Sequence, residues 1–360
     1  MTHARQSNME LLRIVAMCMI IMFHFSDHNA LQIKGTMDLC LDWLVLAFAR
    51  IGGAFGNCVF VMLTGFFMWN KGLRLRNLFR LWQQVLFYSV GSAILCYVFQ
   101  LGGEHKFNII LKSFTPVFNC TYWYVSNYIV LLFLMPYLNK GIAGMSRSVH
   151  KKLIYMLIFM FSVLHTITGI EWILGSNVIP FVNLYLIGAY IGKYKVRGAK
   201  DNSCNFKFML ITAIVMFLTI VVRKYTNPER DLFRFVWGFE EFLPTLMAIY
   251  GLIFFSRIKI ATSKCINGLS STVFGCYMFH IGMIWPLFFL DWFDAGKYYG
   301  SGLVLGQMIV AVVTILLLSC IIDLLRQSLI EKPLMGMLKE RLDCLENKMV
   351  SWLERKLICI

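Results

Sequence analysis

The chain has 360 residues, of which 59% are hydrophobic and only 15% charged, with 31 Phe and 21 Met. That balance excludes an ordinary soluble domain and predicts a polytopic membrane protein. The net charge of +15 is no argument for nucleic acid, because cytoplasmic loops of membrane proteins collect Lys and Arg, so its distribution matters more than its size.

Crossing a hydrocarbon core takes about 20 apolar residues in a helix. Ten runs approach or exceed that length, at roughly 9–28, 43–69, 79–101, 122–139, 153–170, 177–193, 207–223, 236–256, 267–290 and 302–325. The sixth is short and holds Pro180 and Asn183. With residue 1 in the cytoplasm, most basic residues fall in the inner loops and the tail, so the expectation is an all-α bundle of about ten transmembrane helices with both termini cytoplasmic. Glu10 and Arg13 sit inside the first helical pattern, and residues 26–36 offer no small-residue cleavage site, so the first run is not read as a cleavable signal. From 331 to 360, Leu334, Leu338, Leu342, Leu345, Met349, Trp352 and Leu353 recur at helical intervals among charges, which predicts an amphipathic helix on the inner leaflet. The 11 cysteines, among them Cys18, Cys58, Cys96, Cys276 and Cys320, lie mostly inside apolar runs without zinc or disulfide spacing, so no metal is expected. Membrane lipids are the expected surroundings, nucleic acid is not an expected partner, and a homodimer stays open.

The first run, "LLRIVAMCMIIMFHF", places two ionisable groups where burial is costly. Arg13 and His24 are eleven residues apart, close to three helical turns, so both leave one face about 16 Å apart along the axis. They either face a polar passage or reach the two interfaces separately.

The segment "NMELLRIVAMCMIIMFHF", with its Arg-x10-His spacing, resembles the first transmembrane helix of the membrane-bound acyltransferase-3 family, bacterial proteins that O-acylate cell-surface glycans. "GNCVFVMLTGFFMW" (56–69), "LRLRNLFRLW" (73–82), "TYWYVSNYIVLLFLMPYLN" (121–139) and "TVFGCYMFHIGMIWP" (272–286) resemble that family's second helix, basic turn, fourth helix and a late helix carrying Tyr-x-x-His. The likeness runs from residue 5 to about 326, which predicts an acyltransferase domain over 1–326 and a cytoplasmic tail over 327–360. Two departures stand out: Thr64 replaces the family's usual Ser, and the basic turn reads Arg76-x-x-x-Arg80 preceded by Arg74, where the family has a tighter Arg-x-x-Arg.

The resemblance implies an acyl-CoA donor, most often acetyl-CoA, and a glycan or lipid-linked sugar acceptor, in a multi-pass protein of the bacterial inner (plasma) membrane. On that reading His24 is the general base, since a neutral imidazole can take a proton from a sugar hydroxyl as it attacks a thioester. Arg13 would meet a pantetheine or diphosphate oxygen, and Lys71, Arg74, Arg76 and Arg80 the nucleotide phosphates. His280 is read either as a partner of His24 or the acceptor, or as a satisfied bundle histidine. Arg50, left within the membrane by the loop count, is expected to face a polar cavity, with Glu240 or Glu241 as its partner or as ligands of sugar hydroxyls. Tyr122 and Trp123 form either an interfacial belt or a sugar platform. A transporter or flippase for lipid-linked sugars is the rival reading, although no internal repeat of the kind such carriers often show is found.

Overall fold

In a computed structural model, residues 5–100, 106–168 and 178–357 are described. Every regular element among them is helical. The order begins with α1 (Ser7–Asp27), α2 (Leu41–Ala49), α3 (Ile51–Met68), α4 (Leu75–Val98), α5 (Lys106–Ser113), α6 (Trp123–Gly144) and α7 (Arg147–Ile158). It continues with α8 (Leu164–Thr168), α9 (Val178–Tyr194), α10 (Asn202–Thr226), α11 (Phe242–Arg257), α12 (Lys264–Ser270), α13 (Val273–Ile281), α14 (Val304–Arg326) and α15 (Lys332–Leu357).

Six continuous helical stretches among the described residues are long and apolar enough to cross a bilayer: α1, α2 through α3, α4, α7 through α8, α10, and α14 running into α15. Two shorter apolar helices, α9 and α11, pack among them. The expected run at 267–290 is not one helix. Its hydrophobic pattern is interrupted where α12 gives way to α13, and α13 stops at Gly282, whose ψ of −176° leaves the helical region four residues before Pro286. The two positions expected at the end of the tail, Trp352 and Leu353, have side chains outside the described set, as does that of Met349.

Local chemistry explains several helix starts. Ser146 Oγ accepts the Val149 N–H, Asp201 accepts the Ser203 N–H, and Ser263 Oγ accepts the Ile266 N–H, each satisfying a donor that the first helical turn leaves open. Arg50 links α2 to α3 with helical torsions (φ −59°, ψ −27°), so the two act as one rod.

At the centre, α3 lies between α1 and α9. Gly52 faces the Met19 carbonyl of α1 and Gly188 faces the Met62 carbonyl of α3, so closely that a Cβ at either position would overlap the opposing oxygen. Small residues here let backbones touch, as van der Waals packing in lipid requires. Away from this centre, α10 and α14 expose rows of large apolar side chains, including Leu210, Ile214 and Leu218, and Ile309, Val313 and Leu317. These rows suit hydrocarbon contact, whereas water would oppose them.

Both described chain ends lie at the same end of the bundle. Arg5 donates to the Asn267 carbonyl there, and Gln327 at the end of α14 donates to that of Ser271. The tail folds as a helix that packs on α4, with Leu334, Leu338 and Leu342 half-buried. Asp343 pairs with Arg76 at 3.2 Å, Glu331 with Arg80 at 2.9 Å, and Glu346 accepts the Leu75 N–H.

Candidate active site

The last two turns of α1 carry His24, Asp27 and His28 on neighbouring positions of one face. The Nδ1 atoms of His24 and His28 are 3.3 Å apart, and His28 Nδ1 is 3.3 Å from Asp27 Oδ2. Asp27 in turn pairs with Arg50 at the junction of α2 and α3. The partner of Arg50 is therefore Asp27, and neither Glu240 nor Glu241 fills that place. Glu241 instead accepts from Thr166 Oγ1 and lies 3.5 Å from His165 Nδ1.

From α13, His280 completes the cluster, its ring centroid 5.3 Å from that of His24. His280 is fully buried, and its Nδ1 donates to the Cys276 carbonyl one turn back at 2.6 Å. That bond fixes the proton on Nδ1 in the neutral ring and leaves Nε2 as an acceptor. The buried Nε2 has no protein partner, so His280 is not a satisfied bundle histidine. Trp285 and Phe289 close the cluster with ring distances of 4.8 Å and 6.0 Å from His28. Seating His24, half-buried, among such rings keeps its surroundings poor in water.

Toward the end that holds the chain termini, a cavity of about 310 Å³ opens between α1, α3, α6 and α13. Arg5 and Arg13 stand in its wall, together with Thr64, Tyr124, Tyr128 and Tyr277. Arg13 is anchored by Glu10 at 3.2 Å, and Glu10 is held in place by Ser270. The Arg13 side chain keeps 34% of its surface exposed, enough to meet a further anion. Thr64 Oγ1 donates to the Phe60 carbonyl and lies 3.3 Å from the Tyr128 hydroxyl.

His24 does not line this cavity, whose wall on α1 ends at Ile20, one turn earlier. Tyr277 bridges the gap: it faces the cavity, its ring centroid is 6.4 Å from that of His280, and its buried hydroxyl has no partner. The Tyr122 hydroxyl is likewise buried without a partner, and its ring is 6.3 Å from that of Tyr277. Tyr277 thus stands between the cavity and His280. Beyond them, a more open and more polar pocket includes Asp27 and Arg50.

The remaining expected residues fall elsewhere. Trp123 stacks one face on Phe239 at 5.4 Å and stays partly exposed, away from the 310 Å³ cavity and the polar pocket. Lys71, Arg74, Arg76 and Arg80 are outside the wall of the 310 Å³ cavity; Arg76 is engaged by Asp343 of α15 and Arg80 by Glu331 in the turn just before it. Sequence reasoning missed His28, Asp27, Arg5 and Tyr277. The i, i+3, i+4 spacing of His24, Asp27 and His28 was the readable signal for two of these.

A fully paired network separate from the site holds α14 to α4. Asp323 accepts from Gln84, Tyr88, Arg326 and Gln327, while Arg326 also reaches Gln83 and Glu331. Its complete satisfaction marks it as structural. Among the described residues no group of His, Cys, Asp and Glu is arranged to hold a metal ion.

The helical bundle thus holds two arginines in the wall of a cavity and a pair of histidines behind it. A family model described as an acyltransferase domain (acyltransferase family 3) matches residues 6–324, and the chain belongs to that family of membrane acyltransferases. No curated protein and no solved structure gives a significant match to the chain.

Proposed function

We infer that this acyltransferase moves an acetyl group from cytosolic acetyl-CoA to a hydroxyl of a cell-surface polysaccharide or its lipid-linked precursor, in the bacterial inner membrane. The observation that carries the reading is the position of His24, between an arginine-mouthed cavity on one side and a polar pocket on the other. The end holding the chain termini is taken as cytoplasmic, in keeping with its basic loops.

On this reading the nucleotide stays at the basic mouth, where Arg5 and Arg13 meet phosphate or pantetheine oxygens. Lys71 and Arg74, in the basic turn before α4, would meet the outer phosphates, and Arg76 and Arg80 would join them when released by Asp343 and Glu331. An extended pantetheine arm is comparable in length to the roughly 16 Å from Arg13 to His24. The acceptor oxygen attacks the thioester carbonyl carbon while His24 takes its proton. The carbon–sulfur bond then breaks, and the imidazolium returns that proton to the departing thiolate, giving the O-acetyl ester and free CoA thiol. His280, held as an acceptor, orients either the attacking hydroxyl or the His24 ring.

The test supplies labelled acetyl-CoA and a glycan acceptor to purified protein in sealed lipid vesicles, and compares the parent with His24→Ala. Loss of transfer is expected. Transfer that survives unchanged removes the proposed base, and sugar movement across the bilayer without acetyl-CoA would replace the reading with a flippase.

A further inference from the structure

The pocket beyond the histidines has a volume of about 510 Å³ and is bounded by the loop after α1 and the loop between α10 and α11. Its walls include Asp27, Lys34, Arg50, Glu229, Asp231 and Trp237. Charges of both signs surround an indole that is 54% exposed. A phosphate site would carry a surplus of cations, and an acyl-chain site would be apolar. Alternating donors and acceptors around one flat aromatic ring instead match a sugar, with hydroxyls at its edge and C–H groups on its face.

The rim is built in advance. Asn29, buried, donates to the Phe25 and Ser26 carbonyls and accepts the Leu31 and Gln32 N–H groups. Lys224 donates to the Gly35 and Met37 carbonyls, and Trp43 to that of Lys34. On the opposite side Arg223 clamps the Asp231 carbonyl with two hydrogen bonds. Loops fixed this way lose little entropy on binding.

The floor is fixed as well. Arg50 is 6% exposed, pairs with Asp27, and holds its guanidinium 4.6 Å from the Phe233 ring centroid.

We propose that this pocket is a carbohydrate subsite, holding the sugar unit next to the acceptor hydroxyl, with Trp237 as the stacking surface and Glu229 accepting from a sugar hydroxyl. The inference rests on the reading of the protein as a glycan O-acetyltransferase and adds where the glycan is held. From the pocket wall at Asp27, two 3.3 Å contacts lead through His28 to His24, so a sugar bound here lies within one residue of the base.

The experiment uses full-length protein in lipid discs, labelled acetyl-CoA, and size-fractionated, de-O-acetylated surface polysaccharide from the host cell as the probe. Trp237→Ala is expected to raise the acceptor KM about tenfold with the acetyl-CoA KM unchanged, a tenfold change being about 1.4 kcal/mol. Trp237→Phe should restore most of the loss, and Glu229→Gln should raise the acceptor KM by a smaller factor. Both positions are exposed, so misfolding does not confuse the result. An acceptor KM unmoved in Trp237→Ala and Glu229→Gln overturns the subsite, as does an effect that follows the phospholipid composition of the disc. If those variants are silent while His24→Ala abolishes transfer, the subsite falls and the acetyltransferase reading stands. If His24→Ala transfers normally, that reading falls.

Discussion

The two hollows that flank the histidines are made of different materials. The one near the chain termini has aromatic and aliphatic walls with arginines at its mouth, whereas the one at the far end mixes carboxylates, cations and an exposed indole. A long, flexible donor with a charged head suits the first, because only its head needs cations and its arm needs a dry slot with a few hydroxyls. A hydroxyl-rich acceptor suits the second. One helix spans both, lining the first with Arg13, Met17 and Ile20 and the second with Asp27, with His24 between them in the chain.

The strongest way to break this comparison is to remove what the two sides share. His24→Ala should lower kcat by about 10²- to 10⁴-fold, the range for a positioned general base, measured as labelled ester formed per protein. Its binding of acetyl-CoA, followed by equilibrium dialysis, should persist. Arg13→Ala acts on the donor side alone. A lost charge-assisted contact is worth about 1.5–3 kcal/mol, so the acetyl-CoA KM should rise by at least about tenfold while the acceptor KM holds. An equal rise in both would erase the division of labour between the hollows.

His280→Gln probes the boundary. Loss of the oriented Nε2 acceptor should cost about 1 kcal/mol, roughly fivefold in kcat, with neither KM altered. A kcat equal to the parent's would return His280 to a packing role. The smallest effect is expected from Asp343→Ala. That ion pair with Arg76 is exposed, and such pairs are worth about 0.2–1 kcal/mol, so the freed Arg76 should lower the acetyl-CoA KM by no more than about fivefold. A higher KM would mean that α15 supports the donor site and does not compete for it.

The helical class and six of the ten apolar runs were legible, because a 3.6-residue period fixes direction along a single helix. Relations between helices were not. Arg50 finds Asp27, 23 residues earlier in the chain, a pairing set by the tilt of α3 against α1, and sequence offered Glu240 and Glu241 equally well. The basic turn reads as a phosphate site by composition, yet Arg76 meets a carboxylate of the tail helix 267 residues away and Arg80 meets Glu331 in the turn before that helix. The orphaned Nε2 of His280 was also hidden, because one residue letter does not say which ring nitrogen a neighbouring carbonyl has claimed.

The glycine contacts of α3 with α1 and α9 bear on how the enzyme must work. Where main chains meet without intervening side chains, a helix cannot slide or roll without a collision at each step, so α1 keeps its imidazole at one depth throughout turnover. Rocking halves are then the wrong picture. The histidine serves as a stationary anvil, and the yielding has to come from rings and loops that part around each incoming reactant and close again once it has gone.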